Sequence, residues 1–121
     1  YYKLKLIQTL ARLNANISLK HFEAIKQDLS ELLYFVNIIG VIIGINLDKA
    51  FDIVHKSNMS KMCETEELAK KTVDWYLNNS KRYKSPSYKK NEYGYIVYNK
   101  DTGKTLKSIN YIPADFKHYL E

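Results

Sequence analysis

Ala50-Phe51-Asp52-Ile53-Val54-His55-Lys56-Ser57-Asn58-Met59-Ser60-Lys61 joins an apolar helical stripe to a cluster of phosphate-compatible groups. Phe51, Val54 and Met59 are spaced to face a core, while His55, Lys56, Ser57, Asn58 and Lys61 offer hydrogen-bond donors and positive charge. Upstream, Asp28-Leu29-Ser30-Glu31 leads into a long apolar run, so two carboxylates at i and i+3 share one helix face. Carboxylates on one helix and an Asn/Lys pair on the next are a set able to hold Mg²⁺ and a polyphosphate.

Outward from that segment the pattern is helical. Leu4, Leu6, Ile7, Leu10 and Leu13 recur at helical spacing, which predicts an amphipathic helix over residues 2–14, ended by Asn14-Ala15-Asn16. Ser18 is the expected N-cap of a second helix whose stripe includes Phe22, Ile25, Leu29, Leu32 and Leu33 and whose stop is Gly44. The run from Leu32 to Ile45 is interrupted by Asn37 and two glycines and is shorter than the roughly 20 residues that span a bilayer. It is apolar nearly all round, so it reads as a buried helix, and burial of that kind predicts a dimer or packing against other subunits. Asn46 caps a third helix from Leu47 to near Met59, and Thr65, followed by Glu66 and Glu67, starts a fourth that reaches Asn78.

Beyond that helix the composition changes. Asn78-Asn79-Ser80 and Ser85-Pro86-Ser87 read as loop material. Tyr93 to Tyr98 and Thr105 to Lys107 are β-compatible runs around Asp101-Thr102-Gly103, which predicts a hairpin. Tyr95 and Tyr98 have opposite parity, so one is expected inward and the other outward. Pro113 opens an expected short terminal helix docked by Phe116, Tyr119 and Leu120. The expectation is a mainly α, single domain over 1–121: core helices in 1–62, an extra helix in 63–79, and a loop, small β-hairpin and terminal helix in 80–121.

The chain has 19 Lys+Arg against 13 Asp+Glu, a formal charge of +6, which favours phosphates, nucleic acid or acidic partners without choosing among them. Lys81, Arg82 and Lys84 surround Tyr83, one of 11 tyrosines, and this mixture suits stacked bases and phosphates as well as an ordinary solvated loop. Trp75, Tyr76 and Tyr83 form a candidate aromatic platform, although the helical spacing of Trp75 equally suits a core or interface. The one cysteine, Cys63, cannot form an internal disulfide and lies in no nucleophile pattern, so it reads as structural. An intracellular protein, cytosolic or mitochondrial, is expected. Residue 1 is Tyr rather than Met, which leaves room for upstream sequence.

Three stretches carry a resemblance to a known family: Asp28-Leu29-Ser30-Glu31-Leu32-Leu33-Tyr34, Gly44 to Phe51, and Val54-His55-Lys56-Ser57-Asn58-Met59-Ser60-Lys61. Val97 to Ser108 and Asn110-Tyr111-Ile112-Pro113-Ala114-Asp115 extend it. The chain resembles the all-α NTP pyrophosphohydrolase superfamily, in its MazG-like and phosphoribosyl-ATP pyrophosphohydrolase-like branch. The resemblance implies a helical bundle with a dimeric core and four carboxylates, an ExxE pair and an ExxD pair, that bind divalent metal and activate water against a phosphoanhydride. Asp28 and Glu31 match the second pair in inverted order, and Asn58 and Lys61 match phosphate-binding positions. The first pair falls near Thr9 and Arg12, neither a carboxylate, and residues 1–22 contain no Asp or Glu.

Arg12 stays charged at any biological pH and repels a dication, so the expectation is that it takes the place of the metal and pairs with Asp28 or Glu31, the alternative being an Arg12 that points into solvent on a frayed first helix. The implied protein is a catalytically degenerate member acting as a structural or interaction subunit, as a homodimer or in a larger, organellar assembly. Two alternatives stand beside it. One is an active Mg²⁺-dependent nucleoside triphosphate pyrophosphohydrolase, cleaving between the α and β phosphates, with Asp28 and Glu31 on Mg²⁺ and Asn58 and Lys61 on phosphate. The other is a non-catalytic nucleotide- or RNA-binding module using Lys81, Arg82 and Lys84. His55 is open between a hydrogen-bonded structural role and a site role, and Ser57 and Ser60 lack the partners of a serine nucleophile.

Overall fold

A computed structural model describes residues 1–117. Among the described residues four helices precede three strands: α1 (Tyr2–Leu19), α2 (Phe22–Ile43), α3 (Leu47–Met59), α4 (Glu66–Asn79), β1 (Pro86–Asn91), β2 (Gly94–Asn99) and β3 (Thr105–Leu106). The protein is mainly helical with a small antiparallel sheet, and its contacts define two compact units, Tyr1–Ala50 and Phe51–Glu121. No single helix among the described residues is long and apolar enough to cross a membrane.

The first unit is built on a hairpin of α1 and α2. Residues 14–16 do not end α1; the helix runs on to Leu19, and Ser18 sits inside it with its Oγ donating to the Asn14 carbonyl at 3.2 Å. The reversal comes at Lys20, in the left-handed region at φ 57°, where His21 N–H reaches the Asn16 carbonyl at 3.0 Å. Gly44 closes α2 the same way, at φ 84°, with Ile45 N–H on the Gly40 carbonyl at 2.8 Å. Asn46 Oδ1 then accepts from Lys49 N–H and starts α3, as its position predicts.

Within a single chain the second helix is not buried. Thr9, Asp28 and Gly40 are the buried residues of α1 and α2, whereas Leu33, Tyr34, Val36, Val41, Ile42 and Ile43 are exposed, Val41 by 80%. One partner helix covers one stripe, and a helix that is apolar on every side leaves the rest in water. Gly40 is held close by α3: a Cβ there would lie 2.5 Å from Leu47 Cδ1.

In the second unit the Thr65 side chain caps α4 by accepting from Leu68 N–H at 3.1 Å, and α4 extends to Asn79. The β2–β3 hairpin forms as expected, pairing Val97 with Leu106 and Tyr98 with Thr105. The loop expected at residues 85–87 is corrected from Pro86 onward, because Pro86 opens β1, which pairs with β2 from Pro86↔Asn99 to Asn91↔Gly94. Proline is tolerated at the first position of an edge strand, where its missing donor costs no ladder bond. Tyr95 packs against the core with Val97, while Tyr98 is on the opposite face with Lys89 Nζ 5.0 Å from its ring centre. Residues 113–117 are not helical; Tyr119 and Leu120, the other part of the expected terminal helix, lie outside the described residues.

Cys63, Ala69, Val97 and Leu106 form the core between α4 and the sheet, with Leu68, Val73, Tyr76, Tyr83, Tyr88 and Tyr95 packed around them. Cys63 exchanges both backbone hydrogen bonds with Tyr95 at 2.8 Å, and its Sγ is 3.6 Å from Thr72 Oγ1. It is a structural cysteine. The neighbouring Gly94 has φ 135°, and a Cβ on it would fall 2.4 Å from the Cys63 carbonyl oxygen. A backbone atom cannot swing aside as a side chain does, so Gly94→Ala should cost about 2 kcal/mol or more in urea unfolding. Gly103→Ala, at φ 74° with open space around it, should cost only about 1 kcal/mol. Equal losses would show that contact with Cys63 is not what requires glycine at 94.

Candidate functional site

Thr9, Arg12 and Asn16 follow one another at spacings of three and four along α1, so they share a face. Asp28 and Glu31 do the same on α2, and the hairpin brings the two faces together. Arg12 Nε lies 3.3 Å from Asp28 Oδ1, and Arg12 Nη2 bonds Glu31 Oε2. Asn16 Nδ2 donates to Asp28 Oδ2 at 2.7 Å, and Gln27 Nε2 to Glu31 Oε1 at 3.1 Å. Each of the four carboxylate oxygens therefore accepts a hydrogen bond from the protein. Arg12 pairs with both carboxylates at once.

Asn16 belongs to this cluster although residues 14–16 read as a helix break; its spacing from Arg12 was the available signal. The Asp28 side chain is only 6% exposed and that of Arg12 is 53% exposed, so the pair sits at the edge of the hairpin, with Asp28 inward and the guanidinium bridging toward solvent. A magnesium ion needs hard oxygen ligands and repels a fixed guanidinium; the donor set here does not fit one without first displacing Arg12. Among the described residues no group of three or more His, Cys, Asp or Glu side chains converges as a metal cage. Arg12→Ala should leave the largely buried Asp28 with Asn16 as its remaining donor, costing about 1–2 kcal/mol in urea unfolding. Arg12→Lys should recover only part of that loss, since an ammonium cannot serve both carboxylates as a fork; full recovery would show that charge alone is sufficient.

Asn58 and Lys61 lie in the second unit and bond to each other, Lys61 Nζ donating to Asn58 Oδ1 at 3.1 Å. Ser60 Oγ accepts from Ile112 N–H at 2.9 Å and donates to the Ser57 carbonyl at 2.7 Å, tying the end of α3 to the C-terminal segment. Ser57 is buried, so both serines have structural roles. His55 stacks flat against Phe51, their ring centres 5.9 Å apart, and lines a groove of about 530 Å³ with Lys56, Ser60, Glu64 and Tyr93. Lys56 is already neutralised by Asp52 at 2.8 Å.

Lys81, Arg82 and Lys84 are exposed on the segment between α4 and β1. Trp75, Tyr76 and Tyr83 form an edge-to-face chain, with successive ring centres 5.0 and 5.9 Å apart, not a row of parallel faces. Burial and the neighbouring Tyr83 push the Tyr76 phenol above its ordinary pKa, and its hydroxyl donates to the Lys107 carbonyl at 2.7 Å. The hydrogen bond to Glu66 raises Tyr88. Lys104 Nζ, 3.0 Å from the Tyr83 oxygen, lowers Tyr83, helped by Arg82 over the same ring.

A second groove, of about 340 Å³, is lined by Trp75, Tyr76, Lys107, Ser108, Ile109 and Tyr111. Lys61 is expected on phosphate; Lys107 and Tyr111, distant from it in the chain, carry no local signal that links them to it. The structure brings Lys107 Nζ to 4.5 Å and Lys61 Nζ to 6.0 Å from the centre of the Tyr111 ring.

The chain is 31% identical over 123 residues to an uncharacterized protein of Acanthamoeba polyphaga mimivirus, with 97% of this chain and 48% of that protein aligned. It thus spans about half the length of the curated relative it matches. No family model and no solved structure matches it.

The tyrosine shifts have opposite signs in their effect on stability. Tyr83 has a folded-state pKa below its unfolded value, so its deprotonation favours the fold at high pH. That contribution is complete above the unfolded value of about 10 and is lost as pH falls through the folded value. Tyr88, raised, contributes at neutral pH and loses its contribution as pH rises through its folded value. In an ultraviolet absorbance titration the earliest phenolate step should vanish in Tyr83→Phe and move upward in Lys104→Ala. An unchanged curve in Lys104→Ala would remove the ammonium as the cause.

Proposed function

We propose that this chain is a catalytically degenerate protein of the all-α NTP pyrophosphohydrolase type, serving as a structural or interaction subunit. The observation that carries the reading is the Arg12 guanidinium bonded to both Asp28 and Glu31, at the carboxylate pair that the resemblance assigns to metal. With Asn16 and Gln27 on the remaining oxygens, the pair is neutralised by protein donors, and the fold keeps its acidic helix face without needing a dication. The exposed apolar residues of α2 support the interaction half of the reading. Leu33, Val41, Ile42 and Ile43 present a surface that water leaves unsatisfied and that a second copy or another subunit would bury.

The active alternative needs Arg12 to swing away so that Asp28 and Glu31 can share Mg²⁺ with substrate phosphates. One preparation tests both halves. Titration calorimetry should find no micromolar Mg²⁺ affinity, and incubation with a panel of NTPs and dNTPs plus Mg²⁺ should release no pyrophosphate. Pyrophosphate release that disappears in Asp28→Ala would establish the enzyme instead. Light scattering should report a dimer or larger species, and a persistent monomer with no partner would remove the subunit role.

A further inference from the structure

We propose that the groove between Trp75 of α4 and residues 107–111 binds a planar nucleobase bearing a phosphate, the base against Trp75 and the phosphate between Lys61 and Lys107. Three observations converge there. The groove's volume of about 340 Å³ lies at the lower end of the range for small-molecule clefts, about 300–1,000 Å³, and suits a single nucleotide. Its walls are aromatic, and Trp75 remains 48% exposed although Tyr76 packs edge-on against it. An indole left half in water beside a cleft offers a stacking surface for any base.

The third observation is charge. Lys107 lines the groove with its Nζ 4.5 Å from the Tyr111 ring centre, Lys61 beside the lining has its Nζ 6.0 Å from the same centre, and among the described residues neither makes an ion pair. Lys61 spends one of its three donors on Asn58, which leaves two for an anion. A ring face attracts a cation without neutralising it, so both ammonium groups keep their charge. The larger groove beside His55 lacks this property, since Lys56 is paired with Asp52 and Glu64 adds a carboxylate to the lining.

A free nucleotide and one nucleotide of a single-stranded oligonucleotide share this chemistry. The site uses no residue of the Arg12 cluster, so it stands or falls separately from the pyrophosphohydrolase-type reading. Trp75 is the one tryptophan of the chain, so its fluorescence reports this groove alone.

The test is a fluorescence titration of the full chain with AMP, UMP, adenosine, inorganic phosphate and a short oligouridylate. Saturable quenching by a nucleotide is expected, with adenosine weaker by about tenfold for want of the charge-assisted contacts. Lys61→Gln and Lys107→Gln should each weaken nucleotide binding by about fivefold to tenfold, and affinity should fall as salt rises. Both variants leave main-chain contacts in place, including the Lys107 carbonyl bonded by Tyr76, and circular dichroism checks that the fold survives. An oligonucleotide binding more tightly than UMP identifies a strand as the source; equal or weaker binding identifies the free nucleotide. No quenching by nucleotide or oligonucleotide at millimolar concentration overturns the proposal. So does quenching that is the same in both lysine variants, or that inorganic phosphate alone reproduces.

Discussion

A guanidinium shared by two carboxylates sets the chemistry of the helical hairpin. Asp28 is nearly buried, and burial takes from its oxygens the water that would otherwise satisfy them, so protein donors must replace it. Arg12 supplies the charge and Asn16 the second donor, while Glu31, held partly by Gln27, completes the fork. Thr9 and Asp28 are the fully buried side chains of α1 and α2, so polar groups set the centre of a seam whose flanks are the half-buried Leu6, Leu13, Leu32 and Phe35. A seam of this kind gives specificity of register more than raw stability, because much of its Coulombic gain is offset by desolvation.

That economy explains why so much apolar surface remains on the hairpin. Ile25, Leu32, Phe35, Ile38 and Ile39 of α2 are half-buried, whereas Leu29, Leu33, Ile42 and Ile43 stay exposed, because a single companion helix has no second face with which to cover them. In the second unit the balance is reversed. Cys63, Ala69, Val97 and Leu106 make a small dry core, and a ring of partly buried tyrosines extends it by placing aromatic carbon inward and hydroxyls on Glu66, Lys104 and the Lys107 carbonyl. This is how a lysine- and tyrosine-rich segment packs: the rings provide apolar area and the ammonium groups lie over ring faces.

Helices were legible wherever local chemistry decided them. Gly44 stops α2, Asn46 opens α3 and Thr65 caps α4 because each supplies a backbone conformation or an oxygen that the helix end requires, and nothing distant competes. The boundary between α1 and α2 was not legible. Asn14, Ala15 and Asn16 have turn-compatible letters, yet Asn16 gains a partner in Asp28 only while it stays helical. β1 was hidden for a related reason: Ser87 to Asn91 carries a strand's hydrogen bonds without a strand's hydrophobic alternation, and only β2 beside it gives those backbone groups partners.

From the sequence alone came the helical periodicity, the shared face of Asp28 and Glu31, the absence of Asp and Glu from residues 1–22, and the opposite faces of Tyr95 and Tyr98. All of these follow from spacing along one element, which the geometry of helix and strand converts directly into direction. Tertiary structure alone decided that Arg12 engages both carboxylates, that Gly94 must stay bare beside the Cys63 carbonyl, and that Lys61 and Lys107 each approach the Tyr111 ring. Those are contacts between residues far apart in the chain. Their distances depend on how elements pack, and no local pattern of letters records that.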